Sequence, residues 1–285
     1  MQGTVDGFSY GLVTPLVAYL MACLGGALGL RCTTRALLVA HSWRPGWLAL
    51  GAAAIGSGIW TMHFVAMMGF TVRDAPIHYD RPTTFASLGV AIVMVGIGIF
   101  IVGYKGASGT ALFTGGTITG LGIASMHYLG MAGLRLNGAL EYNTAMVALS
   151  VVIAMVAATA ALWAAGQVRG LMWSVGASLV MGLAVSGMHY TGMAALSVHL
   201  HGTGAPATGD LSATVLAPML IGPLAFLCLA GAVVLFDPRM IGGRPAAAPA
   251  EHKPGVPAHE PAVLTGRRPP RRKEVPHRHR TPQNR

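Results

Sequence analysis

Charge is scarce in this sequence: 10% of its 285 residues are Asp, Glu, Lys or Arg, and nine of those are acidic. A soluble domain carries about 25% charged residues. Together with 53% hydrophobic residues and a mean hydropathy of +0.59, that deficit excludes an ordinary soluble domain and leaves a polytopic membrane protein. Cysteine is scarce as well. Cys23, Cys32 and Cys228 fall in or at the end of apolar stretches with no motif spacing, which excludes a disulfide framework. Cys23 and Cys228 read as small buried apolar side chains. No catalytic constellation of acids, bases and nucleophiles is present, so no enzyme activity is expected. The first apolar stretch has no preceding basic region and no small-residue cleavage site, and it reads as a membrane span rather than a removed signal peptide.

Seven stretches lack charge and reach the ~20 residues that a membrane helix needs. They run from Leu12 to Leu30, Trp47 to Phe70, Phe85 to Tyr104, Ala111 to Leu134, Thr144 to Ala165, Leu171 to Leu196 and Ala213 to Phe236. The last holds Pro218 and Pro223, which membrane helices tolerate because neighbours re-satisfy the backbone. Basic residues in short loops are retained on the cytoplasmic side. One set of loops holds Arg31, Arg35, Arg44, Lys105, Arg169 and Arg239, against Arg73, Arg81 and Arg135 in the other. The sequence therefore predicts an N-terminus outside and a C-terminus in the cytoplasm.

A membrane domain over residues 1–240 is expected to give way to a disordered cytoplasmic tail over 241–285, which holds ten of the 19 basic residues and nine of the 17 prolines. Its run from Arg267 to Lys273 suits the anionic inner leaflet at ~1 kcal/mol per basic residue, or serves only as a topology anchor. The net charge of +10 comes largely from this tail, so it does not signal nucleic-acid binding.

The chain is organised around a triplet written three times: Met62-His63-Phe64, Met126-His127-Tyr128 and Met188-His189-Tyr190. A second methionine follows each histidine by four residues, at Met67, Met131 and Met193, which on a helix puts imidazole and thioether on one face, one turn apart. The histidines are 64 and then 62 residues apart, the length of a two-helix hairpin. All three fall on the second, fourth and sixth spans, about 10 Å from the outer end at the helical rise. The fold expected is thus all-α, with seven transmembrane helices built from three repeated hairpins plus one extra helix. Abundant glycines before the triplets, such as Gly56, Gly58, Gly120 and Gly122, read as helix-packing faces.

An intramembrane histidine is costly to charge, so each is expected neutral and facing the protein interior. Three readings stand side by side: metal ligation, helix packing by hydrogen bonds, and haem, which needs only one or two axial ligands. Packing around a pseudo-threefold axis would let the imidazoles converge. Neutral imidazole and thioether suit Cu(I), a soft monovalent ion that requires no buried anion. The candidate ligands are Met62, His63, Met67, Met126, His127, Met131, Met188, His189 and Met193. Tyr128 and Tyr190 could support them by hydrogen bonds, or simply pack. His78, His199 and His201 in outer loops are candidates for a metal relay, while His252, His259, His277 and His279 sit in the tail, on the wrong side.

Met188-His189-Tyr190-Thr191 resembles the signature of the MHYT-domain family of bacterial integral membrane sensors, with the other two triplets as degenerate copies. The resemblance covers about the first 240 residues. It departs from the pattern at Phe64, and Thr191 has no counterpart at Val65 or Leu129. It implies a bacterial inner-membrane protein that binds copper near the outer face and perceives oxygen, carbon monoxide, nitric oxide or redox state through it. Proteins similar to this continue into a cytoplasmic domain that makes or degrades cyclic di-GMP, or into a histidine kinase. Here only the tail follows, so a stand-alone member signalling through a separate cytoplasmic partner is expected. A copper transporter or metallation factor, and a structural subunit without metal, are the competing expectations.

Overall fold

Long charge-free runs whose backbone polar groups find no partner in lipid can only close their hydrogen bonds internally, and among the described residues seven helices result. They are α1 (Val13–Leu38), α2 (Arg44–Met68), α3 (Arg81–Lys105), α4 (Gly109–Ala132), α5 (Thr144–Ala165), α6 (Leu171–Ala194) and α7 (Ser212–Leu235). The structure, a computed structural model, describes residues 5–6, 10–72, 75–167, 170–200 and 212–237. The expected tail, with Arg73, Arg169, Arg239 and His201, lies outside the described residues. Six of the helices are long and apolar enough to cross a membrane by length and composition. The set leaves out α4, where Gly115, Gly116, Gly120 and Gly122 alternate with threonines and dilute the hydropathy. It nonetheless packs between α3 and α5, and the protein is a multi-pass, all-helical membrane protein.

Local chemistry sets several helix starts. Asp80 Oδ2 accepts from the Thr83 amide at 2.9 Å, Asn143 Oδ1 from the Met146 amide at 3.1 Å, and Ser108 Oγ from the Ala111 amide at 3.4 Å, each satisfying a first-turn donor. The Thr83 hydroxyl, and then its amide, hold the Asp80 carboxyl below the ordinary carboxylate range. Pro45 and Pro82 stand in the first turns of α2 and α3, where their missing N–H costs nothing.

Among the described residues, three short antiparallel ribbons stand at one end of the bundle. Strand β1 (Val5–Asp6) pairs with β2 (Thr71–Val72), β3 (His78–Tyr79) with β4 (Leu134–Arg135), and β5 (Gly138–Tyr142) with β6 (Leu196–Leu200). In each case the strand before an odd-numbered helix meets the strand after the even-numbered one, so the pairs α1–α2, α3–α4 and α5–α6 are each clasped as a β–α–α–β unit. The same closure recurs beside the ribbons: the Asp80 amide donates to the Gly133 carbonyl at 2.8 Å, and the Asn143 amide to the Ala195 carbonyl at 2.9 Å.

The six helices form a ring in sequence order, with α1 closing it against α6 and α7 packed outside on α2 and α1. Side-chain bonds stitch the seams between units. The Trp60 indole on α2 donates to the Thr84 carbonyl and the Ser87 hydroxyl of α3, at 3.1 and 3.0 Å. The Tyr128 and Ser150 hydroxyls join α4 to α5 at 2.7 Å, and the Tyr19 hydroxyl on α1 donates to the Leu179 carbonyl of α6 at 3.2 Å.

Helix ends differ from the expected spans in one consequential way. The first span was expected to stop at Leu30, yet α1 continues to Leu38 and takes Arg31 and Arg35 with it. Arg35 is buried, its Nε 2.6 Å from Asp237 Oδ2 just past α7 and its guanidinium 5.4 Å from the Trp47 ring centre. A charge read as a loop residue is therefore neutralised inside the fold. Arg44 likewise lies in α2, over the Tyr104 ring at 5.8 Å.

Small residues allow the closest helix contacts. A Cβ on Gly25 of α1 would stand 2.7 Å from the Gly58 Cα of α2, so two backbones touch where no side chain intervenes. We predict that Gly25→Ala destabilises the protein by about 1–3 kcal/mol through overpacking, read as a lower thermal midpoint in detergent. Gly46→Ala, with nothing within 4 Å of the new methyl, should leave that midpoint unchanged or slightly raised.

Candidate metal centre

The three histidines sit on α2, α4 and α6, alternate members of the ring, each near the ribbon end of its helix. That placement brings one residue per unit to the same level of the axis. All three are buried, at 1–2% exposure. Their Nδ1 atoms form a triangle: His63 to His189 at 3.1 Å, His63 to His127 at 3.1 Å, and His127 to His189 at 3.3 Å. The rings stand nearly perpendicular to one another, at 79–90° with centroids 4.9–5.1 Å apart, in the manner of a three-bladed propeller.

Hydrogen bonding alone does not satisfy such a triangle. A neutral imidazole nitrogen carries either a proton or a lone pair, never both. Donors and acceptors can alternate around an even ring but not around an odd one. With three nitrogens at least one edge always sets proton against proton or lone pair against lone pair, and all three residues are buried. At the other end of the rings, His63 Nε2 and His127 Nε2 are buried without a hydrogen-bond partner.

The surroundings follow the helical repeat in both directions. One turn toward the ribbons come Met67 and Met131, both buried, and the partly buried Met193. One turn the other way come Ile59, Ile123 and Val185, and a turn beyond those Ile55, Thr119 and Met181. Met62, Met126 and Met188, beside the histidines in sequence, belong to the same buried core. The structure thus brings together the three imidazoles at short range, and stacks the i+4 methionines as the next layer on their faces. Among the described residues, Asp237 is the one buried carboxylate, and it is engaged with Arg35. No anion of the described chain reaches the centre.

Each histidine leans edge-on against the aromatic that follows it: His63 on Phe64 at 4.6 Å, His127 on Tyr128 at 4.8 Å, His189 on Tyr190 at 4.9 Å. The shared feature is the ring, which Phe64 supplies as well as a tyrosine does. The Tyr128 hydroxyl is turned to Ser150 on α5. The outer-loop histidines do not join the centre: His78 is in the β3–β4 ribbon and His199 lies 3.3 Å from Glu141 across the β5–β6 ribbon.

Sequence reasoning missed the residue three positions after each histidine, which is Ala66, Gly130 and Gly192. A Cβ on Gly130 would lie 2.7 Å from His63 Nε2, and one on Gly192 2.6 Å from His127 Nε2. Two of the three imidazoles thus rest against a neighbouring helix at a glycine. Aligning the three copies shows the position as always small, a signal that was there to be read.

Fold and centre together define a polytopic membrane protein with three histidines gathered in its helical core. The chain belongs to the MHYT family, described as a bacterial signalling protein N-terminal repeat, which matches at residues 56–115, 120–178 and 182–246. That repeat is framed from a histidine-bearing helix into the next helix, so its third copy takes in α7. In the ring, the place between α6 and α2 is filled by α1 instead. The chain is 35% identical over 238 residues to the bifunctional diguanylate cyclase/cyclic di-GMP phosphodiesterase MucR of Pseudomonas aeruginosa, covering 81% of this chain and 35% of that protein. It is 36% identical over 208 residues to the cyclic di-GMP phosphodiesterase NbdA of the same organism, covering 68% and 26%. Signaling protein YkoW of Bacillus subtilis is 29% identical over 198 residues, covering 67% and 24%. The chain therefore spans about a third or less of the length of these relatives. No solved structure matches it.

Gly130→Ala should press on the His63 ring and Gly192→Ala on the His127 ring. The expected outcome is a changed histidine ¹⁵N side-chain spectrum and a loss of about 1–3 kcal/mol in stability. Ala66→Gly should leave the spectrum in place.

Proposed function

We propose that the chain is a membrane sensing domain in which His63, His127 and His189 hold a single Cu(I) ion through their Nδ1 atoms. The observation that carries the reading is the triangle of buried nitrogens, whose odd number no arrangement of protons can satisfy and which a cation accepting three lone pairs does. The spacing agrees with it. Metal–nitrogen bonds of about 2.0 Å at a tetrahedral angle need nitrogens about 3.3 Å apart, and these are 3.1–3.3 Å apart.

The donor set selects the ion. Three neutral imidazoles, with no carboxylate or thiolate beside them, suit a soft monovalent ion better than Zn²⁺. Met67, Met131 and Met193 lie one turn toward the ribbons, placed to offer a thioether from that side. When bound, copper supplies a centre that takes a neutral diatomic molecule or changes oxidation state. The chain's own contribution is to fix the three rings, through Phe64, Tyr128 and Tyr190 edge-on and through the small residues at 130 and 192, and to keep water out.

The loop charges argue for a ribbon end facing outward and a C-terminus in the cytoplasm, and the bacterial family suits a bacterial inner membrane. A change at the three rings would shift the packing of α2, α4 and α6, and a cytoplasmic partner would read the shift. Such coupling works only if two packings differ in affinity for the ligand. The relatives named for cyclic di-GMP turnover suggest an output of that class.

The test is elemental analysis of detergent-purified protein after copper loading, beside a His63→Ala, His127→Ala, His189→Ala variant shown to be folded. One copper per chain is expected in the parent and none in the triple variant. Copper retained by the folded variant, or no copper in the parent, would refute the centre.

A further inference from the structure

Beneath the histidine triangle, on the side away from the ribbons, the core is not fully packed. A small cavity of about 30 Å³ is walled by the two layers below the histidines, including Ile59, Ile123 and Val185, and by the alanine face of α5. That is room for two or three spheres of about 10–15 Å³. Its one polar side chain among the described residues is Thr119, whose hydroxyl donates to the Met94 carbonyl at 3.4 Å. Water needs two to four polar partners to settle in such a space, so the chamber is dry.

A second cavity of about 480 Å³ lies between α5 and α6. Its rim includes Trp163, Met172 and Val180, all exposed on helices that face lipid, so it opens sideways into the bilayer. Ala157, Ala161 and Met181 line both cavities. The outer crevice and the inner chamber therefore share a wall built of two alanines and one flexible methionine, the side chain best able to swing aside.

Resting on the reading of the histidines given above, we infer that this crevice is the route by which a small uncharged molecule of diatomic-gas size passes from the lipid to the underside of the three-histidine centre, with Met181 as its gate. Lining, opening and size all favour that occupant. An ion or a polar metabolite meets no partner along the way, and a larger apolar molecule does not fit the chamber. Lipid is also where uncharged gases concentrate relative to water. The ribbon side, by contrast, presents a layer of methionines.

Two measurements test this, one of which needs no metal. Crystals of the metal-free protein pressurised with xenon should show the gas in the crevice and beneath Val185. Xenon absent from both places would overturn the proposal whatever the histidines bind. For copper-loaded protein in lipid nanodiscs, carbon monoxide association after flash photolysis is followed by infrared absorption. Ala161→Phe should slow association at least tenfold, with copper content and the equilibrium carbonyl band unchanged. Ala177→Phe plugs the mouth from the opposite wall and should slow it too, while Met181→Ala should speed it several-fold. Ala148→Phe, exposed on α5 away from the crevice, is the control and should have no effect. Association unaltered by both plugs would overturn the passage. Xenon in place with no copper bound would leave the passage standing and fail the copper reading instead, so the two failures are told apart.

Discussion

Three imidazole nitrogens held within 3.3 Å of one another in a buried helical core impose a constraint on everything around them. The nitrogens cannot be reconciled by hydrogen bonds among themselves, and the low dielectric magnifies the mismatch. For the arrangement to persist, the helices bearing them must be fixed in depth, in rotation and in separation. Depth comes from the β–α–α–β units, whose ribbons stop each pair at the same level. Rotation comes from the buried layers at four-residue intervals above and below. Separation comes from glycine at 130 and 192, where any side chain would meet an imidazole.

The symmetry is real but incomplete. The first copy carries Phe64 where the others have tyrosine, and Ala66 where they have glycine. It also places Trp60 against Phe64, with ring centroids 4.7 Å apart, and uses that indole to hold α3, whereas the second copy holds α5 through the Tyr128 hydroxyl. Different side chains thus secure equivalent seams, and Ser87 and Ser150, each seven residues beyond a helix cap, receive them. His189 is the ring without a glycine opposite. The three ligand positions are alike in geometry and distinct in how stiffly they are supported.

Much of this was legible because apolar length and a 62–64 residue repeat are long-range signals that a single sequence carries. Seven helices follow from them, and the convergence of His63, His127 and His189 follows on the added condition that the hairpins pack around a common axis. The ribbons were not legible, since strands of two residues such as Thr71–Val72 have no periodicity to detect. Nor was the Arg35–Asp237 pair, whose partners are 202 residues apart and each looked like an ordinary loop charge. The choice of Nδ1 over Nε2, and the cavity between α5 and α6, depend on side-chain rotation and on imperfect packing, which composition does not encode.

The ring has one seam unlike the rest. Five of its contacts join helices adjacent in the chain, while the sixth joins α1 to α6 across more than half of the described sequence. Closing a long loop carries the larger entropic cost and comes late in folding. None of the three helical pairs contains more than one of the three histidines. The centre is therefore complete only once α6, the last histidine-bearing helix, has joined α2 and α4, so a chain inserted only as far as the fifth helix cannot carry it.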